Sequence, residues 1–518
     1  MSHKGWQVGT RSEDESRNAA MNGHEKSDNP TVPEKPANKA APRAAESVEG
    51  KGLTKGNLNQ TDMSRTQRRK TDMPSGLERI RLAAARDKER RFTALLHHIT
   101  PEALLEAFEG LNPKACPGVD GMTWKRYEKI AHVMVDDLHD RIHRGAYRAI
   151  PSKRAYIPKP DGGLRPLGIA ALEDKIVQSA VARVLGAIYE VDFLGFSYGF
   201  RPERDCHQAL DALAYGIRRM KVNWVLDADI RGYFDAIDHE GLIKYVERRI
   251  GDPRILRLIR KWLKAGVLED GVLQHVEEGT PQGASISPLL ANVYLHYVFD
   301  TWAHQWRQSN ARGDVILVRY ADDFIVGFQH RVEAERFLAD LRKQLAANHL
   351  ELHPEKTRLI EFGRFAAPDR QRRGLGKPET FDFLGFTHIC SRSRKGTFLL
   401  RRHTIKKRLR RRIRAIREEL RRRMCDTIEM TGTWLQLVLN GYYRYFAVPT
   451  NLRALKTLRK EVCKAWLFTL RRRSHKDHTT WADMIPRIDR WLPEPRYYHP
   501  WPDDRMQARL TRGRSRMR

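Results

Sequence analysis

Two unbroken apolar runs, residues 315–318 and 324–328, flank a short polar tip, Arg319-Tyr320-Ala321-Asp322-Asp323. Each run is too short for a helix, and its lack of alternation suits a strand buried on both faces. The tip leaves room only for a tight hairpin. A third strand, 224–230, is apolar until Asp229 near its end, and 381–386 reads as another. Residues 154–169 read as a hairpin with the tip Pro160-Asp161-Gly162-Gly163, and 268–278 as a second hairpin. Helical spacing predicts helices over 77–85, 101–111, 125–145, 171–190, 205–217, 239–250, 252–266, 332–347, 401–423, 434–446 and 452–472, with a further long helix opening at 287–292. Thr100, Asp205 and Asp238 are placed to cap three of them.

Residues 1–75 break this order. They are polar, scattered with Pro, Gly, Asn, Glu and Lys, and lack apolar periodicity, so they read as a disordered extension. The 518-residue chain carries a formal net charge of +31. An excess this large over a folded body implies a polyanionic partner, most simply nucleic acid. A membrane surface would ask for an aromatic amphipathic helix, and none is clear; no apolar run reaches the length of a membrane span. Five cysteines at wide, irregular spacing argue against a zinc site or a disulfide framework. The N-terminus has no signal-peptide pattern, and an intracellular location is expected.

The charge is not evenly spread. Residues 401–423 hold thirteen Lys or Arg and two Glu, with Ile405, Leu409, Ile413, Ile416 and Leu420 at helical spacing. One apolar stripe on an otherwise cationic helix, with Arg410, Arg411 and Arg412 at its centre, suits a nucleic-acid groove better than a self-repelling solvated face.

Candidate chemistry centres on the Asp322-Asp323 tip. Adjacent carboxylates at the end of a buried hairpin repel each other and lose solvent, and a divalent cation relieves both costs. The bland alternative is an Asp-Asp turn facing water. Asp229, at another strand end, supplies a third carboxylate; Asp227 shares its face further from the tip and is the weaker candidate. Lys159 and Arg165 flank the tip of the first hairpin. By themselves they read as solvated charges, since surface Lys and Arg are common; beside a phosphoryl-transfer site they would suit a triphosphate.

In order along the chain come a basic hairpin, a strand-end Asp followed by Gly232-Tyr233-Phe234, a Pro281-Gln282-Gly283 turn, the Asp-Asp hairpin and a basic helical region. This order resembles that of reverse transcriptases. Tyr320-Ala321-Asp322-Asp323, Gly118-Val119-Asp120-Gly121, Ile157-Pro158-Lys159-Pro160 with Arg165-Pro166-Leu167-Gly168, Gly199-Phe200-Arg201-Pro202, and Ser287-Pro288-Leu289-Leu290-Ala291-Asn292 resemble the group II intron-encoded reverse transcriptase/maturase family over residues 77–475.

The resemblance implies an α+β fold: a right-hand polymerase followed by a helical thumb, or domain X. Fingers with an N-terminal extension would occupy 76–225, palm 226–398, thumb 399–473, and a short tail 474–518. It implies two Mg²⁺ ions, with Mn²⁺ as a possible substitute, held by Asp229 and Asp322, with Asp323 as a less direct partner and the Ile230 carbonyl completing the sphere. Lys159 and Arg165 would hold the dNTP triphosphate, Phe234 would exclude a 2′-hydroxyl, and Gln282 would meet the nascent base pair. Phe383, Leu384 and Gly385 would position the primer end, and Arg201 with Arg410, Arg411 and Arg412 would bind RNA.

Function follows as an expectation: the protein binds its intron RNA, promotes splicing, and copies the intron into DNA by target-primed reverse transcription. Partners would be intron RNA, RNA template, DNA primer or target, and dNTPs. The location would be the bacterial cytoplasm, at the nucleoid when bound to target DNA. Two departures stand out. Ala284 replaces a second glycine common in the family, and the 46 residues after Arg472 contain no cysteine, so no C-terminal endonuclease is expected. A retron-like or diversity-generating reverse transcriptase is one alternative, and a non-enzymatic RNA-binding splicing factor is another.

Overall fold

The structure, a computed structural model, describes residues 75–158, 163–269, 272–274, 278–279, 283–474 and 477–511. The expected disordered extension, Lys159 and Gln282 lie outside the described residues. The described strands are β1 (Ser152–Pro158), β2 (Leu164–Ile169), β3 (Trp224–Asp229), β4 (Val267–Glu269), β5 (Val272–Gln274), β6 (Val315–Tyr320), β7 (Asp323–Phe328), β8 (Arg358–Glu361), β9 (Phe381–Phe383), β10 (Phe386–Arg392) and β11 (Phe398–Thr404). They form three sheets, in the orders β2-β1-β4-β5, β6-β7-β3-β8 and β11-β10-β9.

The sheet β6-β7-β3-β8 lies between two cores, and its two faces explain the unbroken apolar runs. Successive side chains of a strand point to opposite faces. Leu226, Ala228, Val315, Leu317, Phe324, Val326 and Phe328 enter one core, together with the helices Leu172–Asp192 and Ser287–Leu295. Val225, Ile316, Val318, Ile325 and Ile360 enter a second core on the other face. That second core is shared with the helix Cys206–Arg219, with β9–β11, and with the helices Ile428–Phe446 and Leu452–Arg471. Both faces are covered, so the strands are apolar apart from their ends and the paired Asp227.

The expected caps form. Thr100, Asp205 and Asp238 accept from the amides of Ala103, Gln208 and Gly241. Two expected helices differ. The stretch 125–145 is broken into Trp124–Glu128 and Ala131–His143. The cationic helix begins at Lys406, because 401–404 belong to β11. There Arg402 points inward, fully buried, and meets Asp211 of the helix Cys206–Arg219 at 2.7 Å. A paired arginine is compatible with strand burial, whereas composition alone reads it as part of a charged run. All five cysteines are free thiols. Among the described residues no helix is long and apolar enough to cross a membrane.

Candidate active site

The ends of β3 and β7 bring the acidic residues together. In the antiparallel register Asp229 stands directly opposite Asp323, and Asp323 also pairs with Tyr320 across the hairpin. Directly opposed residues hold their Cβ atoms about 4.5–5.5 Å apart, and like charges there repel. Asp227, Asp229, Tyr320 and Asp323 share the face of Val225 and Ile325 by the two-residue period of their strands. Asp322 sits in the two-residue turn itself, half-buried, and its charge acts on the buried Tyr233 hydroxyl. The register gives Asp229 the strand partner Asp323 and leaves Asp322 in the adjoining turn.

Positive charge balances this tip from within the chain. Lys356 Nζ lies 2.6 Å from Asp229 Oδ2. The Asp229 carbonyl accepts from the His353 amide at 2.8 Å, and the Arg231 amide donates to Glu351 at 2.8 Å. These two bonds make the bridge between Ile230 and Leu352 and leave the Ile230 carbonyl outside it. Asp227 is differently employed. Burial pushes its carboxyl up to about 6, and Arg358 Nη2 lies 3.1 Å away on the neighbouring strand. It is a paired sheet residue set back from the tip.

Among the described residues no group of three or more His, Cys, Asp or Glu closes into a ready-made metal cage. Mg²⁺ does not ask for one: it takes one or two carboxylates and completes its shell with water and substrate phosphate. The hard oxygens of Asp229 and Asp323, opposed on one face, fit that requirement, with Asp322 in the adjoining turn.

The turn holding Asp322 is built with little tolerance. Ala321 adopts a left-handed φ of +58°. Gly199 packs on it so closely that a Cβ there would overlap the Ala321 nitrogen. Beneath both runs a network that pattern reading missed. Arg319 is fully buried and donates from all three of its nitrogens: Nε and Nη2 to the two Asp300 oxygens (2.7 and 2.6 Å), Nη2 also to Ser197 Oγ (2.7 Å), and Nη1 to Asn292 Oδ1 and the Ala321 carbonyl (both 3.0 Å). Asn292 Nδ2 then donates to the Gly199 carbonyl at 2.7 Å. Removing one partner of such a buried pair costs about 3–5 kcal/mol. A charged residue inside an apolar run is the signal that could have found Arg319.

Other candidate residues fall around this centre. Phe234 is half-buried, follows the end of β3, and meets Tyr233 edge to face at 5.4 Å. Arg165 lies on β2, opposite Ile157. Gly283 has φ +110° and would place a Cβ 2.6 Å from the Gly168 carbonyl, so Gly283 packs against β2. Ala284 is buried there, and its methyl group is accommodated. Phe383 and Phe386 pair across a two-residue turn in which Leu384 (φ +46°) and Gly385 (φ +86°) are both left-handed.

Arg201 requires a correction. Its side chain is 3% exposed, paired with Glu190 at 3.0 Å and bonded to the carbonyls of Leu194 and Ser197, both at 2.8 Å. It braces its own loop and has no face to offer to RNA. On the cationic helix Arg410 and Arg411 are exposed, while Arg412 is half-buried beside Tyr442, where burial lowers its pKa.

With this geometry in place, three comparisons bear on it. The Reverse transcriptase (RNA-dependent DNA polymerase) family profile matches residues 157–388, a span that contains Asp229, Asp322 and Asp323. Protein YkfC of Escherichia coli K12 is 36% identical over 60% of this chain and 87% of its own length. The group II intron-encoded protein LtrA of Lactococcus lactis is also 36% identical, over 42% of this chain but only 37% of LtrA. A telomerase from Candida albicans, solved with a fragment of telomeric RNA, aligns at a TM-score of 0.36 and 14% identity, covering 71% of this chain and 65% of that one. That likeness is too loose to add to the reading.

Proposed function

The chain belongs to the reverse transcriptase family of RNA-directed DNA polymerases, and on that footing we propose that it extends a DNA primer on an RNA template at the tips of β3 and β7. The observation that carries this reading is the register itself, which opposes Asp229 and Asp323 on one face beside Asp322. Two Mg²⁺ ions, with Mn²⁺ as a substitute, would supply the charge that activates the primer 3′-hydroxyl and stabilises the departing pyrophosphate. Asp229 and Asp322 would hold them, with Asp323 as a less direct partner and the Ile230 carbonyl completing the sphere. Lys356 balances Asp229 until substrate arrives.

Around that centre, Lys159 and Arg165 would bind the triphosphate. Phe234 would lie against the sugar and clash with a 2′-hydroxyl, favouring dNTPs. Gln282 would meet the new base pair, and the turn at Phe383, Leu384 and Gly385 would support the primer end. The helix Lys406–Arg422, with Arg410 and Arg411 outward, would bind the RNA backbone. The likeness to a group II intron-encoded protein supports a second role: binding the parent intron RNA as a maturase, promoting its splicing, and copying it into a DNA target. The fingers, palm and thumb limits of 76–225, 226–398 and 399–473 belong to the same proposal.

The direct test is incorporation of dTMP on poly(A)/oligo(dT) with Mg²⁺. Synthesis supports the polymerase reading, and absence of incorporation by a folded, RNA-binding protein contradicts it.

A further inference from the structure

We propose that Arg319 is a positioning residue for the catalytic carboxylates, acting through the backbone of the turn that carries them. The inference rests on the polymerase reading of the site at Asp229, Asp322 and Asp323 and adds to it a residue that does not touch substrate.

A guanidinium has five N–H donors in a rigid fork. Arg319 makes five bonds with them, to Asp300 twice, Ser197, Asn292 and the Ala321 carbonyl. A lysine has three donors on one atom and cannot reach this spread of acceptors. Its acceptors are themselves fixed. Asp300, Asn292 and Ser197 are all buried. Asn292 and Asp300 lie on one continuous helical stretch that passes through a π-helical turn at His296–Asp300. In an unbroken α-helix residues eight apart would differ by roughly 80° around the axis. The π turn takes up about one extra residue and brings the two nearly into line, so that one guanidinium can meet both.

Among these bonds the one to the Ala321 carbonyl points toward the reaction. Ala321 holds a left-handed φ of +58°, a conformation that costs a non-glycine residue energy and persists only where its surroundings impose it. Three restraints converge on it. Arg319 Nη1 holds its carbonyl, Gly199 packs against its nitrogen, and Asn292 ties Gly199 back to the same guanidinium. The next two residues are Asp322 and Asp323. Arg319 thus sets the turn that determines where those carboxylates point, from the opposite face of the sheet.

The test compares Ser197→Ala, Asn292→Ala and Arg319→Lys with the native protein and with Asp322→Asn. Five quantities are read: duplex binding, kcat and KM for dTTP, the Mg²⁺ concentration giving half-maximal rate, and amide exchange at Ala321–Asp323. The expected result for Asn292→Ala and Arg319→Lys is faster exchange confined to the turn, kcat lowered at least ten-fold, half-maximal Mg²⁺ raised at least three-fold, and duplex binding within two-fold of native. Should Arg319→Lys fail to fold, Ser197→Ala and Asn292→Ala, each removing fewer bonds, decide the matter with the same signs. Native kcat and Mg²⁺ requirement in folded variants overturn the proposal, as does a fall in duplex binding that matches the fall in kcat. Full synthesis by Asp322→Asn would instead overturn the catalytic reading on which it rests.

Discussion

Tyr445, on the helix Ile428–Phe446, donates its hydroxyl to the Leu384 carbonyl at 2.8 Å. The bond joins a helix of the C-terminal region to the left-handed turn between β9 and β10. The Cys206 thiol lies beside both the Tyr445 hydroxyl and that of Tyr320 at the end of β6. Tyr445, Cys206 and Tyr320 thus lie between the turn at Leu384 and the hairpin that carries Asp322 and Asp323. Tyr445→Phe keeps the ring packing and removes the bond. Its loss should cost about 1 kcal/mol of stability. Amide exchange at 384–385 should rise, and the KM for primer–template should rise several-fold with that for dTTP little changed. Equal changes in both KM values would argue against a link to the primer.

The arginines of the cationic region should separate by exposure. Neutralising Arg410 and Arg411, both outward, should lower RNA affinity and flatten its dependence on salt, by close to one unit of slope for each phosphate no longer neutralised. Arg201 sits in a buried pair with Glu190, and Arg412 is turned against Tyr442. Arg201→Gln should lower the melting temperature and leave the salt slope in place. Binding titrations at several salt concentrations, with thermal melts alongside, distinguish the two groups.

Phe234 lies five residues beyond Asp229, half-buried against Tyr233. Phe234→Ala opens the space where a 2′-hydroxyl would fall. Incorporation of rNTPs relative to dNTPs should rise by at least ten-fold in single-nucleotide extension. An unchanged ratio would remove the gate role.

Stability should carry a pH signature from Asp174. Burial raises its carboxyl to about 6, against the hydrogen bonds from Tyr147 and the Ile150 amide. Between its unfolded value, near 3.9, and about 6, the native state holds more protons here than the unfolded state. This group's contribution is therefore fully present below the unfolded pKa and is lost as pH rises through the folded one. The stability difference between the native protein and Asp174→Asn should shift against the native protein by up to about 3 kcal/mol from pH 4 to pH 7. Urea denaturation at the two pH values measures it; a constant difference would place the Asp174 pKa near that of the unfolded chain.

Much of this was legible in the chain before its structure. Short unbroken apolar runs, capping residues and a strand-end Asp are local signals, and β3, β6, β7 and most helices follow from them. Register is not local. It depends on how two strands align whose facing residues Asp229 and Asp323 lie 94 positions apart in the chain. Inward arginines were also hidden. Arg201, Arg319 and Arg402 read as surface charge or part of a motif, because their partners Glu190, Asp300 and Asp211 become neighbours only in the fold. The cationic helix suffered the same way at its start, where composition extended it through a strand.

The most direct measurement is made on Asp322→Asn, with RNA binding and primer extension followed on the same preparation. The substitution removes one negative charge from the half-buried turn and leaves the cationic helix untouched. Loss of dTMP incorporation by at least a thousand-fold with RNA affinity within two-fold of native is the predicted result. Retained synthesis, or a loss of RNA binding that accounts for the loss of synthesis, would contradict it.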